Sequence, residues 1–266
     1  MNAVLKYPGA KNRIVNWIIS YFPEHAVYLE PFCGSAAVLF NKTPSRLETI
    51  NDIDDNVVNL FKVLRNPHAA GQLCNLIELT PWSRTEYEHS RMMVTNDPIE
   101  KARLYLVRSW QGIFGGQRYA TGFKHSVASQ GPRCTNAWNI LPDTLAEAGK
   151  RLKNVQVERA DGIILIQKFD VPGSLVYIDP PYPQGTRKNR LYTYEMNDSD
   201  HMKLLKVITE CKNANIIISG YSCDLYDSKL TEWSKVTKNT RAEAGQSRTE
   251  CLWMNFTPER GLLDET

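Results

Sequence analysis

Val27-Tyr28-Leu29-Glu30-Pro31-Phe32-Cys33-Gly34-Ser35-Ala36-Ala37-Val38-Leu39-Phe40 is the stretch on which the fold turns. An apolar run ends at Glu30-Pro31-Phe32, passes through the small residues Cys33 to Ala37, and resumes as Val38-Leu39-Phe40. The pattern reads as a buried strand, a tight turn and the start of a helix. A turn of small side chains lets a ligand approach backbone N–H groups closely. Only one glycine is present, so the three-glycine dinucleotide fingerprint is not met.

About twenty residues on, the strand-like Leu47-Glu48-Thr49-Ile50-Asn51 ends at Asp52. An acid at the tip of the second strand of a doubly wound unit is placed to bind ribose hydroxyls. Capping the helix expected from about Asp54 to Leu64 is the other reading, and both roles can coexist because Asp54 and Asp55 are also available as caps. Further strand-like runs occur at Val155 to Val157, Leu175 to Ile178, Ile216 to Ser219 and Cys251 to Phe256. Helical apolar spacing appears from Lys11 to Tyr21 and from Asp198 to Lys212, the latter with Asp198 or Ser199 as the expected cap. Strands alternating with helices predict an α/β fold with a mostly parallel sheet, whose ligands bind beyond the carboxyl ends of the strands.

One of those ends carries Asp179-Pro180-Pro181-Tyr182. The lone pair of an exocyclic amine on a heterocycle is delocalised into the ring, so it is a poor nucleophile until acceptors hold its hydrogens. Asp179 is suited to one hydrogen, and the carbonyl of Pro180 to the other, because proline presents a stiff backbone without an N–H. Tyr182 would stack on the ring. Taken alone, the tetrapeptide is also readable as a strand followed by a proline turn, with Asp179 capping and Tyr182 half buried.

Together with Lys6-Tyr7-Pro8-Gly9-Ala10-Lys11, the Glu30 to Ser35 turn and Asn51-Asp52-Ile53-Asp54, in this order, the chain resembles the DNA adenine methylase (Dam) family over nearly its whole length. The resemblance implies an adenine-N6 DNA methyltransferase that uses S-adenosylmethionine. It implies that Tyr7, Lys11, Asp52 and Asp179 contact the cofactor, that Asp179 also meets the target amine, and that Asp161 lies near the cofactor's adenine. Glu30, Phe32 and Gly34 complete the expected cofactor set, and Asp179, Pro180 and Tyr182 the expected catalytic set. The expected fold is a Rossmann-like methyltransferase sheet with helices on both faces, plus an inserted helical and hairpin target-recognition region. Residues 1–65 and 150–266 would form the catalytic domain and 66–149 the insertion.

Composition agrees with a globular enzyme: 266 residues, 42% hydrophobic, 23% charged, net charge +3. No apolar stretch approaches the ~18 residues of a membrane span, and Met1 to Arg13 is unlike a signal peptide, so cytoplasmic residence is the default expectation. Six scattered cysteines, none in a Cys-x-x-Cys spacing, suggest neither a metal site nor a disulfide framework. From Arg84 to Lys153, eleven basic residues stand against six acids, an excess suited to phosphate. Within it, Gly112 to Phe123 interleaves glycines, aromatics and Arg118-Tyr119, a loop able to bring arginine to base edges. Arg118-Tyr119 is followed by Ala120 where the resembled family often has asparagine, so no target sequence is assigned. Arg187, Lys188 and Arg190, after the tetrapeptide, are expected to touch DNA phosphate; Arg241 or Arg248, in the polar segment Thr237 to Thr249, could assist. The expected partner is double-stranded DNA, with no obligate protein partner. A cytosine-N4 methyltransferase, which more often has serine in place of Asp179, and a catalytically inactive DNA-binding relative are the alternatives.

Overall fold

The computed structural model describes residues 1–113, 122–126, 134–183, 192–241 and 247–258. Seven strands form one sheet: β1 (Val27–Glu30), β2 (Leu47–Asn51), β3 (Val155–Glu158), β4 (Ser174–Ile178), β5 (Asn215–Tyr221), β6 (Ser234–Arg241) and β7 (Ser247–Met254), in the order β3-β2-β1-β4-β5-β7-β6. β1 to β5 are parallel, while β7 runs antiparallel to both β5 and β6. The described helices are α1 (Val15–Ile19), α2 (Ala37–Asn41), α3 (Asp55–Arg65), α4 (Pro67–Leu79), α5 (Arg84–Met92), α6 (Pro98–Gln111), α7 (Cys134–Asn139), α8 (Leu141–Leu152), α9 (Gly162–Lys168), α10 (Asp198–Glu210) and α11 (Asp224–Lys229).

Side chains alternate across a strand, and here they feed two cores. Tyr28, Leu175, Tyr177, Ile217 and Leu252 face a cluster covered by α1 to α4, α6 and α8. Leu29, Val176, Ile178, Ile216, Ile218 and Trp253 face the opposite cluster, covered by α9, α10 and α11. All five residues of β4 are buried, which is why Leu175 to Ile178 reads as a continuous apolar run. Trp110, Trp138, Leu141 and Leu145, from the expected insertion, share the first core with Ile50 and Val155. A buried ion cluster ties α8, which runs on past that region, to the sheet: Glu48 on β2 accepts from Lys42 Nζ at 2.7 Å and from Arg151 Nη2 on α8 at 2.8 Å.

Three local expectations change. The helix expected over Lys11 to Tyr21 is confined to α1, and Lys11 lies in the turn before it, where the Ile14 N–H bonds the Lys11 carbonyl at 2.9 Å. α10 is capped by Asn197 in a capping box with Asp200 rather than by Asp198 or Ser199. The polar Thr237 to Thr249 segment contributes to β6 and β7: an edge strand needs only one apolar face, so Ser-Lys-Val-Thr-Lys-Asn-Thr-Arg carries little apolar signal.

The carboxyl ends of β1, β2 and β3 are tied by Asn51. Its Nδ2 donates to the carbonyls of Pro31 (2.9 Å) and Ala160 (3.0 Å), and its Oδ1 accepts from the Ala160 N–H (2.8 Å). Truncation would strand several of these polar groups beside a 1% exposed position. Asn51→Ala is therefore expected to destabilise the fold by about 2–4 kcal/mol, read as a lowered denaturant midpoint with an unchanged slope; a loss under about 0.5 kcal/mol would refute the tie.

Candidate active site

After β1 the chain enters α2 on one face of the sheet, and after β4 it leads to α10 on the other. Between two parallel neighbours whose connections diverge in this way, a crevice opens at the carboxyl ends. It encloses about 620 Å³, part of it open to solvent, and Tyr7, Lys11, Glu30, Phe32, Gly34, Asp52 and Asp179 all line it. Asp161 does not; it is exposed and caps α9, accepting from the Ile163 N–H at 2.8 Å.

The turn after β1 is shaped by close approach. Gly34 has φ +47°, and a Cβ there would sit 2.8 Å from the Tyr7 ring. Ala36 is also left-handed at φ 51°, immediately before α2. At the start of α9, a Cβ on Gly162 would lie 2.9 Å from the Pro31 carbonyl and from the Phe32 ring, so only glycine lets that helix abut the turn. The Gly34 N–H donates to Asp52 Oδ2 at 2.9 Å and the Asp54 N–H to Asp52 Oδ1 at 2.9 Å. The cap of α3 is Asp54, which accepts from the Asn56 N–H, so Asp52 faces the crevice instead. Burial pushes the Asp52 carboxyl up to about 6, against the pull of the Asp54 and Gly34 amides. Glu30, 3% exposed, accepts from the Leu39 N–H at 3.0 Å. Burial carries it up to about 8, with the Leu39 amide opposing and the charge of Asp179 adding.

Asp179 is held from two sides. Lys11 Nζ lies 2.8 Å from its Oδ2 and also donates to the Gly9 carbonyl at 2.8 Å, while Ser219 Oγ on β5 donates to its Oδ1 at 2.9 Å. Burial would lower the Lys11 pKa, but the charges of Asp179 and Glu250 overcome this and raise it, so the ammonium is retained. The same ammonium lies 4.9 Å from the centre of the Tyr182 ring. Tyr182 and Pro180, next to Asp179 and Pro181 of the lining, are themselves buried. The Tyr182 hydroxyl donates to Glu250 Oε2 on β7 at 2.8 Å, and the ring meets Tyr221 edge-on at 4.7 Å.

Glu250, Ser219, Asn51 and Tyr192 are site residues to which sequence reasoning gave no role. Tyr192 lines the crevice with its ring 5.8 Å from Tyr7. Ser219 carried a signal, as a polar residue ending an apolar run in register with the tetrapeptide's strand, and Asn51 stood within the Asn51-Asp52-Ile53-Asp54 stretch. The expected DNA contacts Arg118, Tyr119, Arg187, Lys188 and Arg190 lie outside the described residues. The base of the expected hairpin is described: Gly112 bridges Phe123, and Phe123 packs on Trp82 and Tyr87 beneath Arg84.

A parallel sheet with a β6–β7 edge pair, a glycine turn after β1, an acid after β2 and an acid–proline–proline–tyrosine end to β4 define a nucleotide-type ligand site joined to an amine-holding one, the arrangement of a methyltransferase. Residues 7–244 match the model for D12 class N6 adenine-specific DNA methyltransferases, and the chain belongs to that family. It is 27% identical over 264 residues to the type II methyltransferase M.MjaIII of Methanocaldococcus jannaschii, covering 88% of this chain and 89% of that one. It is 22% identical to the retron Ec67 DNA adenine methylase of Escherichia coli, covering 98% and 96%. Among solved structures, a SAM-dependent methyltransferase from Agrobacterium tumefaciens aligns at 10% identity and a TM-score of 0.37, over 92% of this chain and 62% of that one. Family membership makes the protein an adenine-specific DNA methyltransferase, with S-adenosylmethionine as methyl donor. The crevice fits that donor: Asp52 beside the Gly34 turn suits ribose hydroxyls, and the Asp179 carboxylate suits a cationic sulfonium.

Glu30 gives the fold a pH dependence. It ionises near 4.5 when unfolded and near 8 when folded, so the folded state retains the extra proton between those values and stability falls as pH rises through them. Glu30→Gln keeps the acceptor for Leu39 without the charge. Its melting temperature relative to the parent should climb from pH 5 to pH 8.5; a pH-independent difference would contradict the assignment.

Proposed function

We propose that the protein methylates adenine N6 in duplex DNA by direct transfer to a base turned out of the helix. The observation that carries this reading is the Asp179 carboxylate, fixed by Lys11 and Ser219 in the same crevice as Asp52 and the Gly34 turn. Tyr7, Lys11, Glu30, Phe32, Gly34 and Asp52 hold the donor, and Asp161, at the start of α9, serves its adenine end. When bound, S-adenosylmethionine supplies the methyl group: its S–CH₃ bond breaks as the N6–CH₃ bond forms, and N6 releases one proton.

Asp179 accepts one amine hydrogen and the Pro180 carbonyl the other, which aims the nitrogen lone pair out of the ring system. Acceptors placed before reaction need no reorganisation during it, which is where their catalytic advantage lies. A stacked base cannot reach a crevice at a strand end, so the target leaves the duplex and lies against Tyr182. Residues 66–149 act as the target-recognition region, with Arg118 and Tyr119 toward the bases and Arg187, Lys188 and Arg190 toward phosphate. Their positive charge would offset the acids that the crevice otherwise presents to a polyanion. Cytoplasmic residence and action without an obligate protein partner complete the reading; among the described residues, no helix is long and apolar enough to cross a membrane.

Asp179→Ala should lose roughly a hundredfold or more in turnover while its circular dichroism spectrum stays native. Nucleoside analysis of DNA treated with the parent protein and labelled donor should return N6-methyladenine; labelled N4-methylcytosine, or a variant that methylates near normally, would sink the reading. Neutralising Arg187, Lys188 and Arg190 together should weaken DNA binding and flatten its salt dependence. Binding isotherms at several salt concentrations that match the parent would remove these residues from the interface.

A further inference from the structure

We infer that Glu250 is the positioning residue for Tyr182: by accepting the phenol hydrogen it locks the ring on which the target base is captured, an inference that rests on the stacking role proposed above. A carboxylate is an expensive occupant of this place. Glu250 is 8% exposed, in the middle of β7 between Thr249 and Cys251, and opposite Tyr221 on β5. A neutral side chain of similar volume would fill the space with less desolvation. What a carboxylate adds is a strong acceptor for a buried hydroxyl and a negative charge facing the Lys11 ammonium.

The groups around Glu250 form a connected chain. The Arg248 guanidinium lies 5.0 Å from the centre of the Tyr221 ring, Tyr221 meets Tyr182 edge-on at 4.7 Å, and Lys11 lies 4.9 Å from the Tyr182 ring while pairing with Asp179 at 2.8 Å. Tyr182 is therefore fixed at its hydroxyl by Glu250, at its ring by Tyr221, and against the cation that also holds the catalytic acid. A ring anchored at its far end cannot swing about χ1 and χ2 without breaking the 2.8 Å bond. Capture of a base then loses less side-chain freedom than it would on a loose ring. The residue acts through Tyr182, two strands away from β4 in the sheet order, rather than on the substrate.

The test combines Glu250→Ala, Glu250→Gln, Tyr182→Phe and the double variant Glu250→Ala/Tyr182→Phe, assayed on unmethylated plasmid DNA. Glu250→Ala should raise KM for DNA and lower kcat/KM roughly tenfold to a hundredfold, with the Kd for S-adenosylmethionine, measured by calorimetry, within about twofold of the parent. Tyr182→Phe, which removes the hydroxyl alone, should give a similar loss. The double variant should be no worse than either single one, because both remove the same bond. Glu250→Gln, still an acceptor, should recover most of the activity. Additive losses in the double variant, or a Tyr182→Phe protein of parental activity beside an impaired Glu250→Ala, would overturn the inference and leave Glu250 as a charge partner of Lys11. Folding failure of Glu250→Ala, visible in its melting curve, leaves the decision to the Gln and Phe variants: an active Gln protein with an impaired Phe protein supports the anchor, and the reverse overturns it. A product other than N6-methyladenine would fault the functional reading, yet the non-additivity would still report on the anchor.

Discussion

Divergence of the chain at the β1–β4 boundary is the constraint from which the rest follows. Because α2 covers one face and α10 the other, neither can close over the carboxyl ends of β1 and β4, and those ends cannot all be apolar. Beyond the half-buried Val27 both strands are buried, and their acids stand where they stop: Glu30 ends β1 and Asp179 follows β4. The sheet thus concentrates carboxylates in one crevice without placing them in either core. Buried acids of this kind ionise reluctantly, as Glu30 and Asp52 show even with backbone amides beside them. Amides from the Gly34 turn and α3 bond Asp52, and the Lys11 ammonium pairs with Asp179 at 2.8 Å.

Lys11 explains why the N-terminal segment abandons its helical pattern. Apolar spacing at Ile14, Trp17, Ile18 and Tyr21 predicts helix from Lys11 onward, but helix forms only from Val15. The four preceding residues make turns that bring the Lys11 ammonium between Asp179, the Gly9 carbonyl and the Tyr182 ring. A buried ion pair sacrifices hydration, and the lost helical turn adds to that sacrifice. Where local propensity yields in this manner, the site is the usual reason.

Strands whose residues serve two cores were legible, because both faces of β4 and β5 demand apolar side chains and leave uninterrupted runs. The Gly34 turn and Asp52 were legible for a related reason: small residues and a lone acid at strand tips have few other uses. Edge strand β6 was not, since polar residues on its open face dilute the pattern. Asn51 was visible as part of Asn51-Asp52-Ile53-Asp54, but its three bonds reach backbone groups up to 109 residues away, and no spacing in one chain encodes that. Glu250 was hidden for the same reason: its partner Tyr182 is 68 residues away, and the pairing of β7 between β5 and β6 is needed to bring them together.

The segment proposed to recognise the target is not packed as a separate body. Arg151 on α8 bonds Glu48 on β2 and the Leu39 carbonyl on α2, so the helix that continues out of residues 66–149 is tied to the second strand and to the helix whose amide also holds Glu30. Asp55, in the first turn of α3, pairs with both Lys101 on α6 and Arg159 beyond β3. The same turn supplies the Asp54 amide to Asp52. A shift of α6 or α8 on engaging DNA would therefore be felt at the acids that line the donor's crevice, because shared packing transmits strain between close-packed elements. Under the proposed reading, sequence recognition and donor binding draw on one core, and mutations along α3 would be expected to disturb both together.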